Sequence, residues 1–385
     1  MPDPLEPRPA QPEPQQPEQT APQPFRYVHS ASFPALLAQL QLSLAVTTYQ
    51  AGKLMLIRSA GGKLSTLLRS FEQPMGLAVS AELDRMVVGT RRTVWTLRSE
   101  PRIAPQLDPP GRHDACLVPR RAHVTGGIQG HEIALLGGRI WIVNTLLSCL
   151  CTIDDEDFGF VPQWRPPFVD RLAGEDRCHL TGIAVEDGKI RYATALGETN
   201  TAGGWREHKV TGGILLNVES GATLAHGLCM PHSPRIHDGK LYVLDSGRGH
   251  LCQVDRQSGE LWTVAELPGY ARGLAFRGGY AFVGLSKLRE KNEQSPFGGL
   301  PIADRYDDTE RKCGVCAVEL ASGQVAGFMY FEAGCTELFD IQVLPGMRWP
   351  TVVGFADETL DGILVAPPGA WAAGADLPVA RQGQG

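Results

Sequence analysis

Three histidines, three carboxylates and an arginine fall at matching places in a repeated segment of this 385-residue chain. The segments are MGLAVS (75–80), HEIALL (131–136), TGIAVE (181–186), HSPRIH (232–237), RGLAFR (272–277) and FDIQVL (339–344). Their first positions hold Met75, His131, Thr181, His232, Arg272 and Phe339. Two residues earlier, on the same strand face because side chains alternate with period two, stand Gln73, Gln129, His179, Met230, Tyr270 and Glu337. One residue later come Gly76, Glu132, Gly182, Ser233, Gly273 and Asp340. If these are equivalent strands around one axis, His131, His179, His232, Glu132, Glu337, Asp340 and Arg272 converge on one mouth.

Imidazole nitrogen and carboxylate oxygen suit zinc or another divalent metal, with His131, His179, His232 and Glu337 as the candidate ligands. Without metal, the three histidines with Glu132, Glu337 and Asp340 are candidates for general acid–base chemistry on a small polar or anionic molecule. Arg272 then serves as an anion clamp, its planar fork matching an anionic group. The plain alternative is that the histidines are hydrogen-bonded lining of a polar channel. Further candidates for ligand contact are Arg235, Arg177, Trp205, Arg206, Tyr270, Lys287 and Arg289, with Trp164 as another ring to stack on.

Short motifs add little. His131-Glu132 opens like HExxH, but residue 135 is leucine and the segment reads as strand. Cys313 and Cys316 form a CxxC whose members point to opposite faces of a strand, and no second CxxC accompanies it. Cys149, Cys151 and Cys178 read as buried core thiols. No GxSxG, Walker A or GxGxxG motif stands in a supporting context.

The elements that must position these groups are short strands. Gly137-Gly138, Asp187-Gly188, Asp238-Gly239 and Gly278-Gly279 turn the repeated segments into RIWIVNT (139–145), KIRYATA (189–195), KLYVLDS (240–246) and YAFVGLS (280–286). The other two copies are followed by RMVVGT (85–90) and TVVGF (351–355). Each copy holds four strand-like runs, and four-stranded units repeating near ~40–50 residues are the signature of a β-propeller. Only Phe33–Leu40 looks helical, with Ser32 as its cap. LAVTTYQAGKLMLIRSAGGKLSTLLRSF (44–71) aligns with strands two to four of a repeat and lacks the first. A C-terminal strand can supply it and close the ring. Six first strands predict six blades, and the spare run 360–366 leaves seven open.

Domain limits follow composition. Residues 1–25 form a Pro/Gln-rich segment with no apolar face to dock, expected to be disordered. Residues 26–366 are the propeller, and 367–385 a flexible tail. Glycine (44) and proline (29) exceed their usual ~7% and ~5% shares of a chain, as many turns require. With 36 basic and 42 acidic groups the net charge is −6, which disfavours a nucleic-acid partner. No apolar run reaches the ~18 residues of a membrane helix and no basic-then-apolar leader is seen, so no membrane partner is expected. Nine cysteines, an odd and sparse set, then read as reduced thiols of a cytoplasmic protein.

Several stretches resemble a bacterial family of conserved hypothetical proteins, DUF4915. They include TTYQAGKL (47–54), PMGLAV (74–79), WIVNTLLSCL (141–150), EDRCHLTGIA (175–184), GGWRE (203–207), MPHSPR (230–235), LDSGRG (244–249), PGYARGLAF (268–276), VGLSKLRE (283–290) and ELFDIQVLPG (337–346). Leu146-Leu147, and Thr181 in place of an amide, depart from the family pattern. The resemblance implies one domain over most of 40–360 and, the family having no assigned reaction, no activity. Two functions follow from the residues. One is a pocket protein, an enzyme or a binder, acting on a small polar or anionic ligand; hydrolysis, lactone opening, cyclisation and isomerisation fit equally. The alternative is a scaffolding propeller whose rim contacts proteins or glycans.

Overall fold

The computed structural model describes residues 24–287, 297–354 and 363. The expectations for residues 1–23, for the tail 367–385, for most of the run 360–366 and for Arg289 lie outside the described residues.

Six four-stranded antiparallel sheets stand in a ring, a six-bladed β-propeller. The repeated segments supply the innermost strands: Leu77–Val79, Gly130–Leu136, Leu180–Glu186, Pro231–His237, Tyr270–Arg277 and Ile341–Pro345. Each touches the next around the axis, and the last touches the first. Numbering blades by chain order, blade 1 is the shared one. Its outer three strands are Leu42–Thr47, Lys53–Ala60 and Lys63–Ser70, and its innermost is Ile341–Pro345, paired antiparallel with Leu42–Thr47. An early and a late segment of the propeller therefore meet inside one sheet, as the truncated first repeat implied. Blades 2 to 6 follow, led by the inner strands at 77, 130, 180, 231 and 270.

TVVGF is not a second strand. That place in blade 1 belongs to Leu42–Thr47, so Pro350–Val352 crosses to blade 2 and pairs in parallel with the outer strand Ala115–Val124. The strand Arg26–His29 likewise covers the outer edge of blade 6. Both additions blunt sheet edges that would otherwise invite pairing with another chain. The helix is present at Ser32–Gln39, but Ser32 lies inside it and does not cap it; Ala31 takes that place.

The core is divided in the same way. Alternating strands have two apolar faces, and each of the six blade interfaces has its own cluster. Val87 with Ile142 joins blades 2 and 3, Ile183 with Val143 blades 3 and 4, and Val243 with Tyr192 blades 4 and 5. The helix fills the seam between blades 6 and 1, where Phe33 and Leu37 are sealed against Leu44, Phe282 and Met329. The cysteines are free and buried. Cys313 and Cys316 do face opposite clusters.

Candidate functional site

Contacts between blades that are not neighbours can form only near the axis, and two tiers of them do. The lower tier is charged. Glu132 from blade 3 and Asp340 from blade 1 both pair with Arg235 from blade 5. The remaining atoms bond to the blades between. Glu132 Oε2 accepts from Ile183 N at 3.3 Å, Asp340 Oδ2 from Leu77 N at 2.9 Å, and Arg235 Nε donates to Leu274 O at 3.0 Å. Ser233 Oγ accepts from Gly273 N at 3.1 Å. Blades 1, 3 and 5 thus supply side chains, while blades 2, 4 and 6 supply backbone. The alternating glycines explain why this fits: a Cβ on Gly182 would lie 2.6 Å from Glu132 Oε2 and 2.6 Å from Pro234 Cδ. Burial raises both carboxyls above the ordinary carboxylate range against the opposing pull of Arg235, and the nearby Asp340 adds to the rise at Glu132.

The upper tier holds the histidines. The residues two before the repeat position, Gln73, Gln129, His179 and Met230, take left-handed backbone conformations (φ 45°, 53°, 52° and 51°), which costs non-glycine residues energy. At two of them the carbonyl comes within reach of the following histidine. His131 Nδ1 donates to Gln129 O at 3.1 Å, and His232 Nδ1 to Met230 O at 2.8 Å. A hydroxyl just past the end of the neighbouring strand meets the same nitrogen: Thr145 Oγ1 at 2.8 Å from His131 and Ser246 Oγ at 3.1 Å from His232. Thr145 gives its own proton to Leu180 O at 2.6 Å, so it accepts from the imidazole. Carbonyl acceptors at Nδ1 fix the tautomer and leave Nε2 with a lone pair. His179 is held similarly, its Nδ1 2.8 Å from Asp176 Oδ1.

These rings are close. His131 lies 4.8 Å from His179 and 6.2 Å from His232, centroid to centroid. Phe339 of blade 1 meets His131 edge-on at 5.2 Å, and the Arg272 guanidinium lies 4.4 Å over the Phe339 ring. Arg272 also pairs with Glu337 at 3.2 Å. Burial, with His179 and Arg272 nearby, pushes the pKa of His131 and His232 well below 6.5, so both are neutral. His232 is 2% exposed, yet its Nε2 has no partner, and neither has Arg272 Nε.

A cap covers this tier. Trp205 from the blade 4 insertion packs with Met230, Tyr270, Leu300 and Ile302. Trp205 Nε1 donates to Asp176 Oδ2 at 3.0 Å, its ring stands 4.5 Å from His179, and Arg206 lies over its other side. Trp205 and Tyr270 are therefore walls around the histidines, not open stacking platforms.

The structure brings His131, His179, His232, Arg272, Glu337 and Tyr270 together and removes others from the mouth. Glu132, Asp340 and Arg235 belong to the charged hub, where their hydrogen bonds are used up by neighbouring blades. Arg177, with its side chain 3% exposed, is held by Glu175, Asp170 and Asn200 and ties two loops together. Trp164 sits in a groove between blades 3 and 4, away from the axis. Lys287 is half-buried at the start of its insertion. Burial pushes the Cys178 thiol up to about 12, so it is an inert neighbour of His179. Among the described residues no three His, Cys, Asp or Glu are grouped to hold an ion, and Glu337 is engaged by Arg272. Thr145 and Ser246 escaped the sequence reading, although each lies fourteen residues beyond its histidine, a spacing the repeat repeats.

A ring of six blades with a charged hub and a capped histidine tier defines the class as a six-bladed β-propeller. The chain belongs to the DUF4915 family, a domain of unknown function, whose profile matches residues 31–353. A chain of the nidogen/laminin complex crystal structure is similar, with a TM-score of 0.52 and 12% identity over 80% of this chain and 99% of that one, which shows the fold alone. A protein of unknown function from Bacteroides caccae is similar at TM-score 0.49 and 9% identity, over 79% and 99% of the two chains. A search of curated proteins returns no match.

Proposed function

We propose that this propeller is a pocket protein for a small polar or anionic molecule, taken up at the histidine tier beneath the cap. The observation that carries the reading is His232: fully enclosed, neutral, and with a bare Nε2. A buried polar atom without a partner costs roughly 1–3 kcal/mol, which a ligand hydroxyl or water would recover. Nε2 of His232 and His131 would accept from that group or draw a proton from it as a general base. Arg272, its Nε unused, would take the anionic end. A cytoplasmic setting accords with the buried, free cysteines.

The test is a thermal-shift screen of hydroxy acids, lactones, sugar acids and zinc chloride against the wild-type chain, His232→Asn and Arg272→Lys. The expected result is an organic compound that stabilises the wild type and not His232→Asn, with both folded variants melting within a few degrees of it. Strong destabilisation of both variants, with no compound distinguishing them from the wild type, would make the histidines structural pegs and leave the rim-binding scaffold in their place. Stabilisation by zinc that disappears in His232→Asn would restore the metal reading.

A further inference from the structure

A second concentration of polar groups lies at the other end of the blades. The inner strand of blade 3 begins at the histidine tier and ends at the turn Gly137-Gly138, seven residues or roughly 20 Å away. Beside that turn, between blades 2 and 3, a cleft of about 390 Å³ opens. Its walls carry Arg85, Arg98, Arg120, Arg121 and Arg139. Such density of positive charge is notable in a chain whose net charge is −6.

Ion pairs account for only part of it. Arg98 meets Asp84 at 2.9 Å, Arg120 meets Glu100 at 3.3 Å, and Arg121 meets Asp155 at 3.5 Å. Asp155, the one acid on the cleft wall, is also 3.4 Å from His123. Arg85 and Arg139 have no ion pair among the described residues. Two polar atoms on the same wall are enclosed without a hydrogen-bond partner: Arg85 Nε, and the hydroxyl of Thr96, a residue 7% exposed. Donors left unused at the floor of a guanidinium-lined cleft are what an anion of several oxygens would occupy.

We propose that this cleft is an anion site for a phosphoryl group, separate from the histidine tier. A monocarboxylate is satisfied by a single guanidinium fork, whereas a phosphoryl group accepts from several forks and from a hydroxyl at once. The volume suits a ligand of a few phosphoryl groups or a phosphorylated sugar. Among the described residues the apolar side chains on the wall are Ile140 and Ile153, and its one ring is the imidazole of His123, already paired with Asp155.

Isothermal titration of the full chain at low salt with pyrophosphate, fructose 1,6-bisphosphate and citrate tests this. Arg139→Gln and Thr96→Val are compared with Arg277→Gln, which removes the same charge on blade 6. Saturable binding of a phosphoryl compound that weakens about tenfold in Arg139→Gln, the loss of one charge-assisted hydrogen bond, and stays unchanged in Arg277→Gln is the expected result. Arg139 is exposed, so its variant is expected to fold normally. Binding of pyrophosphate alone would assign an inorganic ligand, and binding of the bisphosphate alone a phosphorylated metabolite. No saturable binding, equal loss in Arg277→Gln, or citrate binding as tightly as either phosphoryl compound would overturn the proposal.

Discussion

Glu132 and His131 are consecutive residues on one strand and lie in opposite regimes. Glu132 enters a tier in which two carboxyls share one guanidinium across three blades and spare oxygens meet backbone N–H groups. His131 and its counterpart His232 enter a tier in which one nitrogen is fixed by a carbonyl and a hydroxyl, and the other is available. Buried polar groups are nearly always satisfied in native proteins, and the exceptions concentrate where something binds or reacts. The difference separates the part of the axis whose polar atoms are used between blades from the part that keeps unpaired ones.

The largest effect expected from breaking that division is on Arg235. Arg235→Ala leaves two buried carboxyls facing each other, and losing one partner of a buried ion pair costs about 3–5 kcal/mol. Urea denaturation at neutral pH checks it; a loss no greater than that of His232→Asn would erase the distinction between the tiers. Next comes Gly182→Ala, whose methyl group has no room against Glu132 and Pro234. Forcing that carboxylate aside costs roughly 1–3 kcal/mol, and an unchanged denaturation midpoint would mean that the glycine alternation is incidental.

The effects of pH have opposite signs in the two tiers. The folded-state pKa values of His131 and His232 lie below 6.5, so the unfolded chain binds more protons and stability falls as the pH drops through 6.5. The folded-state value of Glu132 lies above 4.5, so the native state binds more protons there and stability falls as the pH rises toward about 8. Below pH 6.5 the histidines and the raised carboxyls oppose one another, so His131→Asn with His232→Asn should leave stability falling with rising pH there, and Glu132→Gln should flatten the limb above pH 6.5. Denaturation midpoints between pH 5 and 8.5 measure both; identical profiles in all three proteins would contradict the assignment.

Much of the ring was legible in the sequence because glycine turns follow four of the six inner-strand segments and the segments themselves repeat. Closure was legible too, since residues 44–71 align with three strands of a complete blade. The separation of tiers was present and misread. The row Gly76, Glu132, Gly182, Ser233, Gly273, Asp340 alternates small residues with larger polar ones, and period two already sets it on the face opposite His131. Arg177 was not readable, because Asp170 and Asn200, which saturate it, come from loops that only the fold brings near. The fate of Pro350–Val352 was hidden for a similar reason: its place in blade 1 is taken by a strand some three hundred residues earlier.

That shared blade sets an order on biosynthesis. The three outer strands of blade 1 are made before blades 2 to 6, and the strand that seats them, Ile341–Pro345, after them. At about 5–20 residues per second, a ribosome needs roughly 15–60 s to cover the interval. Throughout it Leu42–Thr47 has an unpaired edge, and Glu132 and Arg235 lack Asp340, the third charge of the hub. The oldest blade of the nascent propeller is thus the last to be finished, and the ring locks only once Ile341–Pro345 has been made.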